Sequence, residues 1–481
     1  MLLKPWLVLR TCALPGEIDM RLESSFLSML LAMLFVASHP AFAGAPHMDC
    51  SKPFIYPESD VNTVVLPYSY AGGNQRLNET GRRISLLIQA DTLLHIMPYG
   101  RIASVQLEPS PGAEAECEPQ VVLGKLLGKN PNYREIKPGK GLVLIWGLIY
   151  EEGGDIFLKT FATALRRDAP DSAELKFGKW TFVTSPSARV VAFPPRKISH
   201  SMLNEIEAKY SSADRVYSDP SEDAQSRALP RANCPTCSPG ETQGYYVDRK
   251  QGDWLHVRWF GANNDSDAGW IRAQSDLAGH SLDSFMPELN FIRASVGYLA
   301  FRMAPTSPEA PRLRDLATAG FKQYLKSDEQ GQAEVASAVA LELCGIMRVL
   351  GGGSPENWNE AIGYFETAHR LVPENPEARN VLAVGHIYQD WIAGTQLERS
   401  KERAQELIDA TLLKPNDPVP VKNLASYYQL LLPKAREVTN EPSPKALSLG
   451  DIQKRLDKIA ALHGEVKAPD KTPEEPSPSP Y

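Results

Sequence analysis

The chain has 481 residues, of which 43% are hydrophobic and 23% charged, with a formal net charge of −7. At about 150 residues per domain such a composition supports roughly three cores, and without a basic excess or an aromatic-interleaved basic stripe nucleic-acid binding is not expected. Its 39 prolines exceed the usual ~5% and imply long, punctuated connections.

Residues 1–43 have the order of an export signal. Arg21 gives a positive start after Met20, a candidate initiator; Phe26 to Val36 is an apolar run; and Ala41-Phe42-Ala43 is a small-x-small cleavage pattern. Cleavage near Ala43 would deliver the protein to a periplasm or outside the cell. An uncleaved anchor is the competing reading, but the apolar run is shorter than the ~20 residues a span needs, and no membrane span is expected in the mature chain. Five cysteines follow the signal: Cys50, Cys117, Cys234, Cys237 and Cys344. An oxidising compartment permits disulfides among them. Cys344 lies in an apolar helical run and reads as a core residue, while the pairing of Cys50 with Cys117 stays open.

Residues 50–200 alternate strand and helix and predict an α/β domain with a mixed sheet. Val61 to Leu66 is a buried strand ending at Pro67; helical spacing follows from Gly81 to Leu94, a second strand from Ile102 to Leu107 and a short helix from Gln120 to Leu127. Gly141 to Tyr150 and Ile156 to Leu165 flank Glu-Glu-Gly-Gly-Asp155 and read as a hairpin, with Glu151, Glu152 and Asp155 as its solvated tip and not paired catalytic acids. Gly72-Gly73 lacks the Lys-Ser/Thr of a phosphate loop and reads as a plain turn. Val64-Val65-Leu66-Pro67-Tyr68, Gly81 with Ile84, Gly124-Lys-Leu-Leu127 and Gly147 to Ile156 give this region an order that resembles the amino-terminal domain of the periplasmic Tol translocation protein. The resemblance implies docking and assembly.

Residues 201–277 change to short strands between polar turns. Gly252, Trp254 and Val257, followed by Gly269-Trp270-Ile271, resemble the signature strands of bacterial Src-homology-3-like domains, which implies a small all-β barrel engaging cell-wall peptide or protein segments. Trp254 and Trp270 are the candidate ligand-stacking residues, although a small barrel also needs such side chains as filling. Cys234-Pro235-Thr236-Cys237 lacks a following helix for redox tuning, a second pair for zinc, and a His for haem attachment. A loop-closing disulfide between Cys234 and Cys237 is the first reading, with a metal site or redox chemistry as alternatives.

Residues 285–464 turn helical, and residues 465–481, rich in Pro, Ser and Glu, are expected to form a disordered tail. Ala361, Phe365, Ala368 and Leu371 stack on one helical face, and Pro373 ends that helix. The stretch from Trp358 to Pro376 resembles the second half of a tetratricopeptide repeat. Ala333 to Leu350 would be its first helix, and Ala378 to Trp391 with Lys401 to Leu413 a second unit, stretched beyond the ~34-residue period. Helices near Phe285 and from Val419 to Leu431 are the expected caps, with Leu447 to Leu462 a further helix. The resemblance implies that Asn380, His386 and Tyr388 face a partner-binding groove.

The fold class expected is therefore multidomain: a mixed-sheet α/β domain, a small β-barrel and an all-α repeat. The function expected is an exported, non-enzymatic adaptor that holds proteins in an envelope assembly. A wall-binding or stress-sensing protein acting through the barrel, with peptidoglycan as ligand, is the alternative. His95, His256 and His369 sit in different modules without a nucleophile motif, so no catalytic residue, metal or cofactor is assigned.

Overall fold

The computed structural model describes residues 59–70, 101–107, 114–128, 136–167, 173–184, 190–199, 215–228, 244–252, 254–260, 266–272, 286–327, 334–415, 417–438 and 443–463, with single residues among 50–56, 77–92 and at 201. Its amino-terminal half holds a mixed sheet and its carboxy-terminal half is helical.

The sheet grows from β1 (Val61–Tyr70), which pairs in parallel with both β2 (Ile102–Gln106) and β3 (Gly141–Glu152). Parallel strands covered on both faces need continuous apolar runs, which Val61 to Leu66 and Leu142 to Trp146 come close to supplying. The strand expected to stop at Pro67 instead runs on to Tyr70. A register shift between Val65 and Tyr68 absorbs the proline, which has no N–H to give to a ladder. β3 and β4 (Asp155–Arg166) form the expected antiparallel hairpin. Its two loop residues, Gly153 at φ 62° and Gly154 at φ 85°, take the left-handed conformation that a type I′ turn requires.

Four short strands follow. Among the described residues β5 (Ala173–Phe177) and β6 (Trp180–Thr184) pair only with each other, as a separate two-stranded sheet, while β7 (Val190–Ala192) and β8 (Arg196–Ile198) both pair with β4. The next five, β9 (Arg215–Tyr217), β10 (Ser226–Ala228), β11 (Gly244–Gln251), β12 (Trp254–Phe260) and β13 (Ser266–Arg272), lie where a separate barrel was expected. Among the described residues they extend the main sheet instead, in the order β10-β9-β13-β12-β11-β2-β1-β3-β4-β7. The join is the antiparallel pairing of β11 with β2, which satisfies the backbone groups that the β2 edge would otherwise leave open.

Side-chain alternation sends the central strands to two cores. Val64, Leu66, Ala103, Val105, Leu142, Leu144 and Trp146 face one side, where they meet α1 (Pro119–Leu127) through Val122 and Leu126. A Cys50–Cys117 disulfide, with Cα atoms 5.0 Å apart, closes this side, and Lys125 on α1 donates to the Cys50 carbonyl at 2.9 Å. Val61, Val65, Ile102, Val143, Ile145 and Ile149 face the other side, toward the helices.

There α2 (Glu288–Met303) lies against β1, β3 and β4, and every residue from Glu288 to Phe301 is buried, as befits a helix covered all round. A buried polar chain fixes it to the sheet: Tyr68 Oη donates to Thr160 Oγ1 at 3.1 Å, Thr160 donates to Glu288 Oε1 at 3.1 Å, and Arg196 Nε donates to Glu288 Oε2 at 2.7 Å. Burial pushes the Tyr68 hydroxyl well above its ordinary pKa, so it stays a donor. After α2 each helix packs on the next: α3 (Ala310–Ser327), α4 (Glu334–Leu350), α5 (Pro355–Leu371), α6 (Pro376–Ala393), α7 (Ser400–Leu413), α8 (Pro418–Glu437) and α9 (Leu449–His463). Three of them begin with the same signal, a side-chain cap followed by proline: Ser354-Pro355, Asn375-Pro376 and Asp417-Pro418. In addition α4 meets α6, and α6 meets α8, so alternate helices form a second-neighbour row.

Candidate partner-binding groove

The β5–β6 hairpin lies along the row α4, α6, α8. β5 meets α4, and β6 meets α6 and α8. The grip on β6 is on its backbone. Asn423 of α8 accepts from Val183 N at 2.7 Å and donates through Nδ2 to Val183 O at 2.6 Å. Asn380 of α6 donates to the same carbonyl at 3.2 Å, and its own Oδ1 accepts from Asn423 at 2.9 Å. The backbone N–H and C=O of one residue are thus bonded by two side-chain amides that are fully buried. Beside it the Thr184 hydroxyl bonds the carboxylate of Glu377, which opens α6, and the Asn375 cap bonds Glu342 of α4.

The side chains of the hairpin enter an aromatic box. Trp358 of α5 and Tyr388 of α6 stack at 4.4 Å, and Phe177 meets both edge-on, at 5.6 and 5.4 Å. Trp391 closes the box 5.4 Å from Phe177, and Phe182 stacks on Phe177 at 5.1 Å. The hairpin turns at Gly178, whose φ of +54° suits glycine, and a Cβ there would also stand 3.1 Å from the Trp391 ring. Burial, with the charge of Glu356 adding to it, raises the Tyr388 hydroxyl above its ordinary pKa.

Of the three groove residues expected from the sequence, Asn380 and Tyr388 are brought together here, covered by the chain's own hairpin. His386 is not with them. Six residues on from Asn380, it lies roughly 120° round the helix, and its Nδ1 sits 3.1 Å from Glu406 of α7. Glu406 also accepts from the buried Arg403, which reaches Asp390 at 2.7 Å, so His386 sits beside the ion-pair network joining α6 to α7. Sequence reasoning missed Asn423, Glu377 and the hairpin itself. The signal for Asn423 was present: like Asn380, it stands in the second turn of a helix opened by a cap and proline.

Trp254 and Trp270, the candidates on the strands, are half-buried. Trp254 meets Tyr217 edge-on at 5.1 Å, and Trp270 meets His256 at 5.0 Å. The pairing registers carry these four residues on the sheet face that bears Ala103, opposite the face covered by α2 and the helices after it. Cys234 and Cys237 lie outside the described residues. Cys344 is a buried free thiol, pushed up to about 12 chiefly by burial. Among the described residues no three His, Cys, Asp or Glu side chains form a metal-binding group, and no helix is long and apolar enough to cross a membrane. No protein-family model matches the chain, and no curated protein does either.

Proposed function

We propose that the protein is an exported, non-enzymatic adaptor whose tetratricopeptide-like helices hold extended protein segments within an envelope assembly. The observation that carries this reading is the recognition of Val183 by Asn380 and Asn423, which takes hold of backbone N–H and C=O groups that every extended segment presents. The Cys50–Cys117 disulfide and the signal-like amino terminus support export, because such a bond persists in an oxidising compartment.

A second reading has its own observation. The aromatic face of Tyr217, Trp254, His256 and Trp270 lies on the other side of the sheet from the helices. In a Src-homology-3-like module such a face would engage cell-wall peptide, making the protein a wall-binding or stress-sensing component. In-cell crosslinking of the tagged full-length chain, followed by mass spectrometry, separates the two. Envelope proteins attached within residues 334–437 are expected for the adaptor; muropeptide attached near Trp254 without a protein partner would replace it with wall binding, and exclusively cytoplasmic partners would refute export.

A further inference from the structure

Among the described residues the β5–β6 hairpin is not hydrogen-bonded into the main sheet, and a two-stranded hairpin standing alone is at best marginally stable. What holds it is the helical row. Its polar anchors, Asn423 and Asn380, recognise the backbone of Val183, and its apolar anchor is the Phe177 ring in the box of Trp358, Tyr388 and Trp391. We propose that the hairpin is an intramolecular ligand of the groove, displaced when a partner protein inserts an extended segment bearing a phenylalanine-like ring. The inference rests on the adaptor reading and adds the partner's chemistry and a competition built into the chain.

The chemistry is read from the present occupant. Phe177 lies 5% exposed and Phe182 is fully buried, so a segment without an aromatic anchor would leave the box unfilled. Thr184 bonds the buried Glu377, which favours a hydroxyl donor next to the clamped residue and disfavours an acid. Gly178 marks the bend, resting on Trp391 at a distance that leaves no slack for a side chain. A competing segment therefore needs an aromatic ring for the box and an extended backbone that runs past Asn423.

The test uses the full chain and a fluorescein-labelled peptide with the sequence from Ala173 to Thr184. Phe177→Ala empties the aromatic box in cis, and the peptide supplies the missing ring in trans. The variant is expected to bind the peptide at least tenfold more tightly than the wild-type chain, and adding Asn423→Ala is expected to remove that gain. Hydrogen exchange of the wild-type chain provides a readout that needs no substitution: the β5–β6 amides should exchange faster than those of β1 and β3. Exchange as slow as in β1, or a folded Phe177→Ala chain that ignores the peptide, would make the hairpin a fixed part of the core and overturn the proposal. A wild-type dimer that exchanges hairpins would overturn it too, naming a second copy as the occupant. With any of these three outcomes, crosslinks elsewhere on the helices would leave the adaptor reading standing.

Discussion

At the scale of single residues the decisive group is the Asn423 carboxamide. A carboxamide can accept and donate at once, which is what the N–H and C=O of a single residue require, and no other uncharged side chain of this size does both in one plane. Asn423→Ala would strip Val183 N and O of this partner and leave Asn380 Oδ1 without the donor it now has, all in a buried setting. A loss of about 3 kcal/mol in unfolding free energy is expected from denaturant titration. Asn423→Asp should be no better, since a carboxylate would keep the bond to Val183 N but face the Val183 carbonyl and Asn380 Oδ1. A loss below about 1 kcal/mol, normal for a surface helix position, would contradict the clamp. The tetratricopeptide resemblance singled out Asn380, His386 and Tyr388, of which helix geometry puts Asn380 and Tyr388 on one side of α6. It could not reveal what covers them. The bond from Asn423 to Val183 spans 240 residues, and nothing in the local pattern of either segment encodes a partner at that distance.

At the scale of elements, legibility followed length and punctuation. The β3–β4 hairpin announces itself through two long apolar strands around Gly-Gly, and the cap-proline pairs mark helix starts. β5 to β8 are three to five residues long, too short for alternation to stand out. The expected barrel failed to separate from the sheet for a related reason. Strand patterning gives the faces of β11 to β13, whereas the edge to which β11 attaches is a property of β2. Helix packing gives a pH test. His369, near the end of α5, is held below its ordinary imidazole pKa of 6.5, first by burial and then by the positive charge of Arg379 on α6. Among the described residues its Nδ1 is buried without a hydrogen-bond partner. The unfolded chain therefore takes up this proton more readily than the folded one, so stability is complete above about pH 6.5 and declines as the pH falls through the folded value. His369→Gln should flatten the dependence of Tm on pH between about 7.5 and 5. An unchanged slope would place the acid sensitivity in other groups.

At the scale of the whole molecule the sheet stands between two covers of unequal extent. One face is held by the long helical succession, continuous with the hairpin through Phe177, Phe182 and α2. The other has a smaller core in which α1 and the segment around Cys50, Ile55 and Tyr56 are the principal cover. Apolar burial on this smaller side is limited, and the Cys50–Cys117 bond compensates by joining residues separated by 67 positions. Closing a loop of that length removes unfolded-chain entropy equivalent to roughly 4 kcal/mol at 25 °C. Reduction, or Cys50→Ser with Cys117→Ser, should therefore lower the global unfolding free energy by about that amount, less any enthalpic offset. The effect should be uneven: hydrogen exchange should quicken first in α1 and at the start of β1, while α4 to α8, which share no atoms with this core, keep their protection. If reduction loosened the helices and the sheet together, the two covers would form one cooperative unit, and displacement of the hairpin could not occur without disturbing the face that carries Trp254 and Trp270. If only the smaller cover loosened, the two faces of the sheet would be energetically separate.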